Sequence, residues 1–380
     1  MSTRYGFVST YPPTLCGLAT FTAALHRELV QPGDSACIIR LVDSSAPSIA
    51  APTAPGTEVV ELLAGDPSGL RDAAAALSDC DTVVLQHEYG IYGGPDGDEV
   101  LALLADVTAP VIVVLHTVLT EPSPHQRAVL EDVVRAAGAV VTMTATAAAR
   151  LEGYDVDLGK VSVIPHGAPA ATPTRRAEDR AHRGRPRVLT WGLIGPGKGI
   201  EWAIEAMAEL ADLPHVPEYV VAGQTHPKVL QHEGERYRES LQARIDALGL
   251  AHRVTLDGRY RDLADLRALV ASADVVLLPY DSTDQVTSGV LIEAVTARKP
   301  VVATRFPHAV ELLSDGAGLI VPQRDPAAMA AAVRRLLTSP TLSEQMREAS
   351  GATAPESLWS AVADRYRELS ARLATARAAA

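Results

Sequence analysis

Val111-Ile-Val-Val-Leu115-His116-Thr117, followed by a helix-length segment at 126–137 and by Val140-Val-Thr-Met143, is the stretch that decides the fold. The run 111–115 is apolar and largely β-branched without alternation, as in a strand covered on both faces. Residues 126–137 read as an amphipathic helix, and 140–143 is a second buried strand. Strand, helix and strand in that order predict a parallel sheet wound with helices. A polar residue, His116, stands immediately beyond the first strand.

Working outward, the same alternation covers the first half of the chain, with further strands at 5–8, 36–41, 82–85 and 161–164 and a helix at 19–30. Residues 168–186, rich in Ala, Pro, Thr and Arg, have no apolar periodicity and read as a linker. The alternation then restarts, with strands at 187–191, 218–222, 253–256, 275–278 and 300–303. The expectation is two Rossmann-like α/β domains, 1–170 and 180–354, with a ligand cleft between them. A last helix at 355–373 opens on Pro355 and places Leu358, Val362, Tyr366 and Leu369 at helical spacing.

Composition narrows the partners. The net charge of -12 sits in the first 170 residues, where 8 Lys/Arg meet 20 Asp/Glu, and the remainder is balanced. An acidic half repels phosphate backbones and anionic headgroups, which disfavours nucleic acid and a polybasic membrane anchor. Cys16, Cys37 and Cys80 lie far apart with no CxxC pair, so neither a disulfide framework nor a cysteine metal site is expected. No run approaches the ~18 apolar residues of a spanning helix. These features predict a soluble, cytoplasmic protein.

In open α/β sheets, ligands sit beyond the carboxyl ends of the strands. Gly17, His87-Glu88, His116-Thr117 and His166-Gly167 all fall at such ends in the first domain. His166, beside Pro165 and the linker, reads as structural. In the second domain, Asp284-Gln-Val-Thr-Ser-Gly-Val-Leu-Ile-Glu293-Ala follows a strand and the break at Pro279-Tyr280. Thr287, Ser288 and Gly289 form a helix entrance whose free N–H groups suit a diphosphate. Glu293, about one turn in, would point back toward the ligand mouth, where its carboxylate matches the two hydroxyls of a ribose. The structural alternative pairs it with a nearby arginine such as Arg298.

Trp191-Gly-Leu-Ile-Gly195-Pro-Gly-Lys198-Gly199 matches the opening of a P-loop, but Gly199 stands where a magnesium-holding hydroxyl would be. What is left is a glycine turn presenting one lysine at a helix start, a good phosphate contact and a poor NTPase.

These segments resemble the large retaining family of GT-B glycosyltransferases, the group 1 or family 4 type, over nearly the whole chain. The family's N-terminal loop resembles 11–21, with Cys16-Gly17 in place of Gly-Gly. Its strand-end histidine resembles His116, its domain junction 163–167, and its phosphate lysine Lys198, here without a preceding arginine. Its E-x7-E signature falls on Gln285 and Glu293, and its final helix on the segment after Pro355 with Trp359.

The resemblance implies a GT-B fold of two facing domains, the first for the acceptor and the second for the donor. It implies metal-independent transfer of a hexose-type sugar from a nucleoside-diphosphate sugar, GDP or UDP, to a soluble hydroxyl acceptor, with retention and without a cofactor. His116, Lys198 and Gln285 would be catalytic. Gly17, Gly195, Lys198, Thr287, Ser288, Gly289 and Glu293 would bind the donor. Arg259 and Tyr260 would lie at the base, and His87 and Glu88 on the acceptor side. Gln285 replaces a carboxylate that touches the donor sugar in the family, so it is expected to help set which sugar is used. A nucleotide-sugar epimerase of the same fold would turn over donor alone, and a non-catalytic binder would hold donor without turnover.

Overall fold

The computed structural model describes residues 2–43, 55–171, 184–259 and 261–379. The chain divides into two compact units, Met1–Gly167 with Trp359–Ala380, and Ala168–Leu358.

The first unit holds a seven-stranded parallel sheet: β1 (Arg4–Ser9), β2 (Ser35–Val42), β3 (Thr57–Leu63), β4 (Thr82–His87), β5 (Val111–Leu115), β6 (Ala139–Thr142) and β7 (Val161–Val163). Their order is β3-β2-β1-β4-β5-β6-β7, which puts the chain reversal at β1 and β4. The second unit repeats the plan with β8 (Arg187–Trp191), β9 (Glu218–Ala222), β10 (Val254–Asp257), β11 (Val275–Leu278), β12 (Val301–Thr304) and β13 (Gly318–Val321), ordered β10-β9-β8-β11-β12-β13. All these pairings are parallel. The doubly wound class expected from the alternation is therefore present twice.

Central strands are apolar throughout because helices cover both faces. In β11, Val275 and Leu277 join one apolar cluster with Ile204 and Met329, while Val276 and Leu278 join another with Leu291 and Phe306. The helices begin where side chains can cap them. Ser123 and Gln126 form a reciprocal capping box ahead of Pro124–Ala136, and Asp66, Thr144, Asp325 and Ser339 each accept from an early amide.

Two strands lie outside the sequence reading, and both are sheet edges. In β3, Glu58 and Glu61 interrupt the apolar run and the strand is half exposed. In β13, the short run Gly-Leu-Ile-Val follows a glycine-rich turn. Edge strands need cover on fewer sides, so their composition is less distinctive.

The end of the chain differs from the expectation. Pro355 lies in a short 3₁₀ turn, Ala354–Ser357, and Leu358 is extended. The backbone there is engaged with residue 168, whose N–H donates to the Ser357 carbonyl at 2.7 Å. The long helix is Trp359–Ala379, and it packs on Gly17–Leu29 in the first unit. Trp359, Val362, Tyr366 and Leu369 are buried with Phe21, Leu25 and Leu29. Thr82 Oγ1 and Ser370 Oγ meet at 2.6 Å, and Arg367 donates to the Glu28 carbonyl at 2.8 Å. Gly167 has no room for a side chain, since a Cβ there would fall 2.1 Å from the Trp359 ring.

Candidate functional site

In the second unit, the turn after β8 and the segment after β11 are built against each other. The Asp281 N–H donates to the Gly197 carbonyl at 2.9 Å. Gly199 sits at φ +63°, and a Cβ on it would lie 1.9 Å from the Pro279 carbonyl oxygen. The absence of a hydroxyl at this position is thus a steric requirement of the contact between the two loops, and it removes the P-loop reading for a physical reason. Gly195 is buried and its carbonyl accepts from the Lys198 N–H at 3.2 Å, closing the turn.

Lys198 is half-buried with its Nζ 4.5 Å from the centroid of the Tyr280 ring. Burial draws its pKa below the ordinary lysine value. No carboxylate pairs with it among the described residues, and the aromatic face is its nearest compensation. It also lowers the pKa of His226, after burial, so the two side chains share one environment. His226 was not picked out from the sequence. Its only signal was its place ahead of Pro227, where its ring nitrogen accepts from the Lys228 amide and caps a short helix.

Beyond β11, Ser288 caps the helix Gly289–Thr296 by accepting from the Leu291 N–H. Its own N–H is spent on His308 Nδ1 at 2.8 Å, so the amide is not open to a diphosphate. The early amides left at this helix start are those of Gly289 and Val290. Thr287 Oγ1 is buried without a hydrogen-bond partner among the described residues. The buried His308, in the helix Pro307–Leu313, also donates its N–H to the Gln285 carbonyl at 3.3 Å. Sequence reasoning missed it because it acts across two helix starts.

Gln285 donates its side-chain N–H to the Thr287 carbonyl at 2.6 Å. This places its amide in the service of the loop, a use a glutamate could not fill. Glu293 accepts from the Trp191 indole N–H at 3.0 Å. Burial raises the Glu293 pKa, while Trp191 and Arg267 oppose the rise. The space beside it is about 60 Å³, lined in part by Arg267 and Lys299, enough for water and too small for a ribose. Trp191 was legible in principle, because a buried indole N–H needs an acceptor.

Arg259 is exposed and forks onto Asp257 at 3.0 and 2.7 Å, and Arg261 adds a further contact. This pairing holds Asp257 well below the usual carboxylate range, with Arg259 the leading cause. The assignment of Tyr260 lies outside the described residues.

In the first unit, Gly17 opens the helix Gly17–Leu29 behind β1, and Cys16 Sγ accepts from the Ala19 N–H at 3.4 Å. A Cβ on Gly17 would meet nothing within 4 Å, so the opening turn is uncrowded. His116 Nε2 donates to Gln86 Oε1 at 2.7 Å, which fixes its tautomer. Burial, with His166 and His87 nearby, pulls its pKa down to about 3. Burial likewise holds His87 and His166 near 4. Phe21 gathers this group, with edge contacts at 5.1 Å to His116 and 5.0 Å to His166 and Trp359. His166 Nδ1 is bound to the Gly167 carbonyl at 2.7 Å, a structural post.

His87 departs from its acceptor-side assignment. It is 1% exposed within β4, its Nδ1 has no hydrogen-bond partner among the described residues, and it lies close enough to His116 to help lower that ring's pKa. Glu88 is half-buried and accepts from Thr117 Oγ1 at 2.6 Å, which leaves it at the strand end. Gln86, absent from the sequence reading, is the residue that orients His116. Among the described residues no group of three or more His, Cys, Asp or Glu is placed to hold a metal ion. No described helix is long and apolar enough to cross a membrane.

Solved structures share this architecture. A sucrose-phosphate synthase from Thermosynechococcus elongatus superposes with a TM-score of 0.77 at 20% identity, covering 98% of this chain and 100% of that one. Anabaena HepE, solved with UDP and glucose, gives 0.76 at 16% identity over 97% and 99%. The pair of parallel-sheet Rossmann-like units is the GT-B fold.

Residues 185–339 match the family described as glycosyl transferases group 1. An alpha-D-kanosaminyltransferase of Streptomyces kanamyceticus is 36% identical over 183 residues, 47% of this chain and 44% of that protein. A D-inositol 3-phosphate glycosyltransferase of Kineococcus radiotolerans is 31% identical over 282 residues, 68% of this chain and 62% of that protein. The chain thus aligns with about half the length of these curated relatives. The second unit, over residues 185–339, is similar to the group 1 glycosyltransferase domain.

Proposed function

We propose that the protein is a retaining glycosyltransferase that moves a hexose-type sugar from a UDP- or GDP-sugar to a soluble hydroxyl acceptor in the cytoplasm. The observation that carries this is Lys198: a half-buried cation with no carboxylate partner among the described residues, on a glycine turn stitched to the segment that leads into a helix start. Such a cation takes an anion, and a transfer that leaves a diphosphate needs one there. Negative charge grows on the leaving diphosphate as the bond to the sugar breaks. Lys198 and the Gly289 and Val290 amides would stabilise it from positions set before reaction, with no reorganisation cost. Gln285 would hold the approach to those amides through Thr287, and Glu293 would bind the ribose once the space beside it opens. His116 is neutral and its Nε2 is occupied by Gln86, so it would position the donor sugar through its remaining face without exchanging a proton. The diphosphate itself would take the acceptor proton. The charge at Lys198 comes from the protein, and neither metal nor cofactor enters the proposal.

A thermal-shift screen against nucleotide sugars identifies the donor, since a ligand at ~100 times its Kd adds roughly 2.7 kcal/mol. Incubation of that donor with an acceptor panel, read by NMR for the anomeric configuration of the product, then tests the reaction. A product of retained configuration, formed only when acceptor is present and surviving EDTA, is expected. Donor turnover to free products without acceptor would move the protein to an epimerase-like class, and binding without turnover would make it a binder.

A further inference from the structure

At the amino end of the second unit's sheet, opposite the Lys198 turn, a cavity of about 430 Å³ opens among the segments that feed β8, β9 and β10. Its ionisable lining is all basic. Arg185, His215, His252 and Arg253 face it, with Leu248 and Leu250 as apolar wall, and no aspartate or glutamate lines it among the described residues.

Arg253 is the informative member. The residue is 7% exposed, yet Nε and Nη1 have no acceptor among the described residues. Its backbone is fixed on both sides: the N–H donates to the Leu250 carbonyl at 2.9 Å, and its carbonyl accepts from Tyr219 at 2.8 Å. A guanidinium taken out of water with unpaired N–H groups is unfavourable, and an anion with several acceptor oxygens relieves it. Burial, and then Arg185, draw the Arg253 pKa down, the direction expected of a cation short of negative charge. Arg185, His215 and His252 are exposed, so the cavity is open to solvent.

We propose that this cavity is a binding site for a phosphoryl-bearing small molecule, the phosphoryl oxygens held by Arg253 and Arg185. The volume is that of a metabolite site. It is separate from the diphosphate turn, since β8 runs between them and spans roughly 16 Å at ~3.3 Å per residue.

The test is calorimetric titration of the full chain with inorganic phosphate, pyrophosphate and glucose 6-phosphate, with glucose as control. A Lys198→Met background removes the cation of the diphosphate turn. Binding of the phosphates, and not of glucose, should persist in that background. Arg185→Gln, at an exposed position, should weaken it by about tenfold or more, the scale of a lost charged hydrogen bond. Arg253→Gln should abolish it, with a thermal melt showing that the variant folds; if it does not fold, Arg185→Gln decides. Tighter binding of glucose 6-phosphate than of phosphate identifies a phosphorylated metabolite as occupant, and equal binding identifies free phosphate. No binding of any of the three, or binding that Arg185→Gln leaves unchanged, overturns the assignment.

Discussion

Replacing Lys198 by methionine isolates its charge, because the methionine stem keeps most of the packing over Tyr280 while the ammonium is lost. The Nζ lies 4.5 Å from the ring centroid in a half-buried setting with no carboxylate partner among the described residues. A charged hydrogen bond to a diphosphate oxygen there is worth about 1.5–3 kcal/mol, or roughly 10- to 150-fold in Kd. Developing charge in the transition state raises the loss to roughly 3–4 kcal/mol, 10²- to 10³-fold in kcat/KM. Calorimetry with UDP and GDP, then steady-state kinetics with the identified donor, reads both. Stability gives an independent readout. Burial lowers the folded-state pKa of Lys198, so between that value and the ordinary lysine value the unfolded chain holds the extra proton. Stability of the free protein should therefore rise with pH through this alkaline window, and the rise should vanish in Lys198→Met. If UDP and GDP both bind the variant within threefold of wild type and kcat/KM is preserved, the diphosphate does not sit at this turn and the functional reading fails.

Glu293→Ala leaves the buried Trp191 indole N–H without its acceptor and should cost about 1–3 kcal/mol of stability, whereas Glu293→Gln keeps the bond. Because burial raises the carboxyl pKa, wild-type stability should fall as pH rises from the ordinary carboxylate value through the raised one, and Glu293→Gln should lose that slope. Both variants should weaken UDP, while 2′,3′-dideoxy-UDP should bind all three proteins equally; a loss of stability alone would make Glu293 structural. Gly199→Ala meets the left-handed backbone and the Pro279 carbonyl together, and denaturant titration should show a loss of at least 1–3 kcal/mol, roughly the strain of the backbone alone. Gln285→Glu removes the hydrogen bond to the Thr287 carbonyl and should lower kcat/KM for every donor by a similar factor; a re-ranking of donor sugars would instead put Gln285 on the sugar. With His116 near 3 and His87 and His166 near 4, kcat/KM should show no inflection from this trio between pH 5 and 8, and an inflection near 6.5 that His116→Asn removes would refute its neutrality.

The candidate residues were legible to different depths. Lys198, Gly199 and the Ser288 cap stand at strand and helix ends, where local rules of turn and capping chemistry select the residue type, so a linear reading finds them. His308, Gln86 and Trp191 act on residues distant in sequence or on another element's backbone. His308 reaches Ser288 across two helices, and Gln86 reaches His116 across adjacent strands. Nothing in their immediate neighbours marks them, which is why the orienting groups behind the site were missed. His87 shows the converse: a strand-end histidine looks like a ligand contact until burial is known, and at 1% exposure it is core.

By itself the order of residues determined the doubly wound class and the glycine and cap positions at the strand ends, while most of the linker read at 168–186 lies outside the described residues. Each follows from the short-range periodicity that buries a strand on both faces or one stripe of a helix. Tertiary structure decided what local pattern does not encode. It recruited the edge strands β3 and β13, whose exposed sides relax their composition. It bent the chain at 354–358 to engage residue 168 before the last helix joined the first unit. It also chose the partners of Gln285, Glu293 and Ser288, because a polar group leaving water takes whichever donor or acceptor the packing brings within about 3 Å, and that choice is made by three-dimensional neighbours.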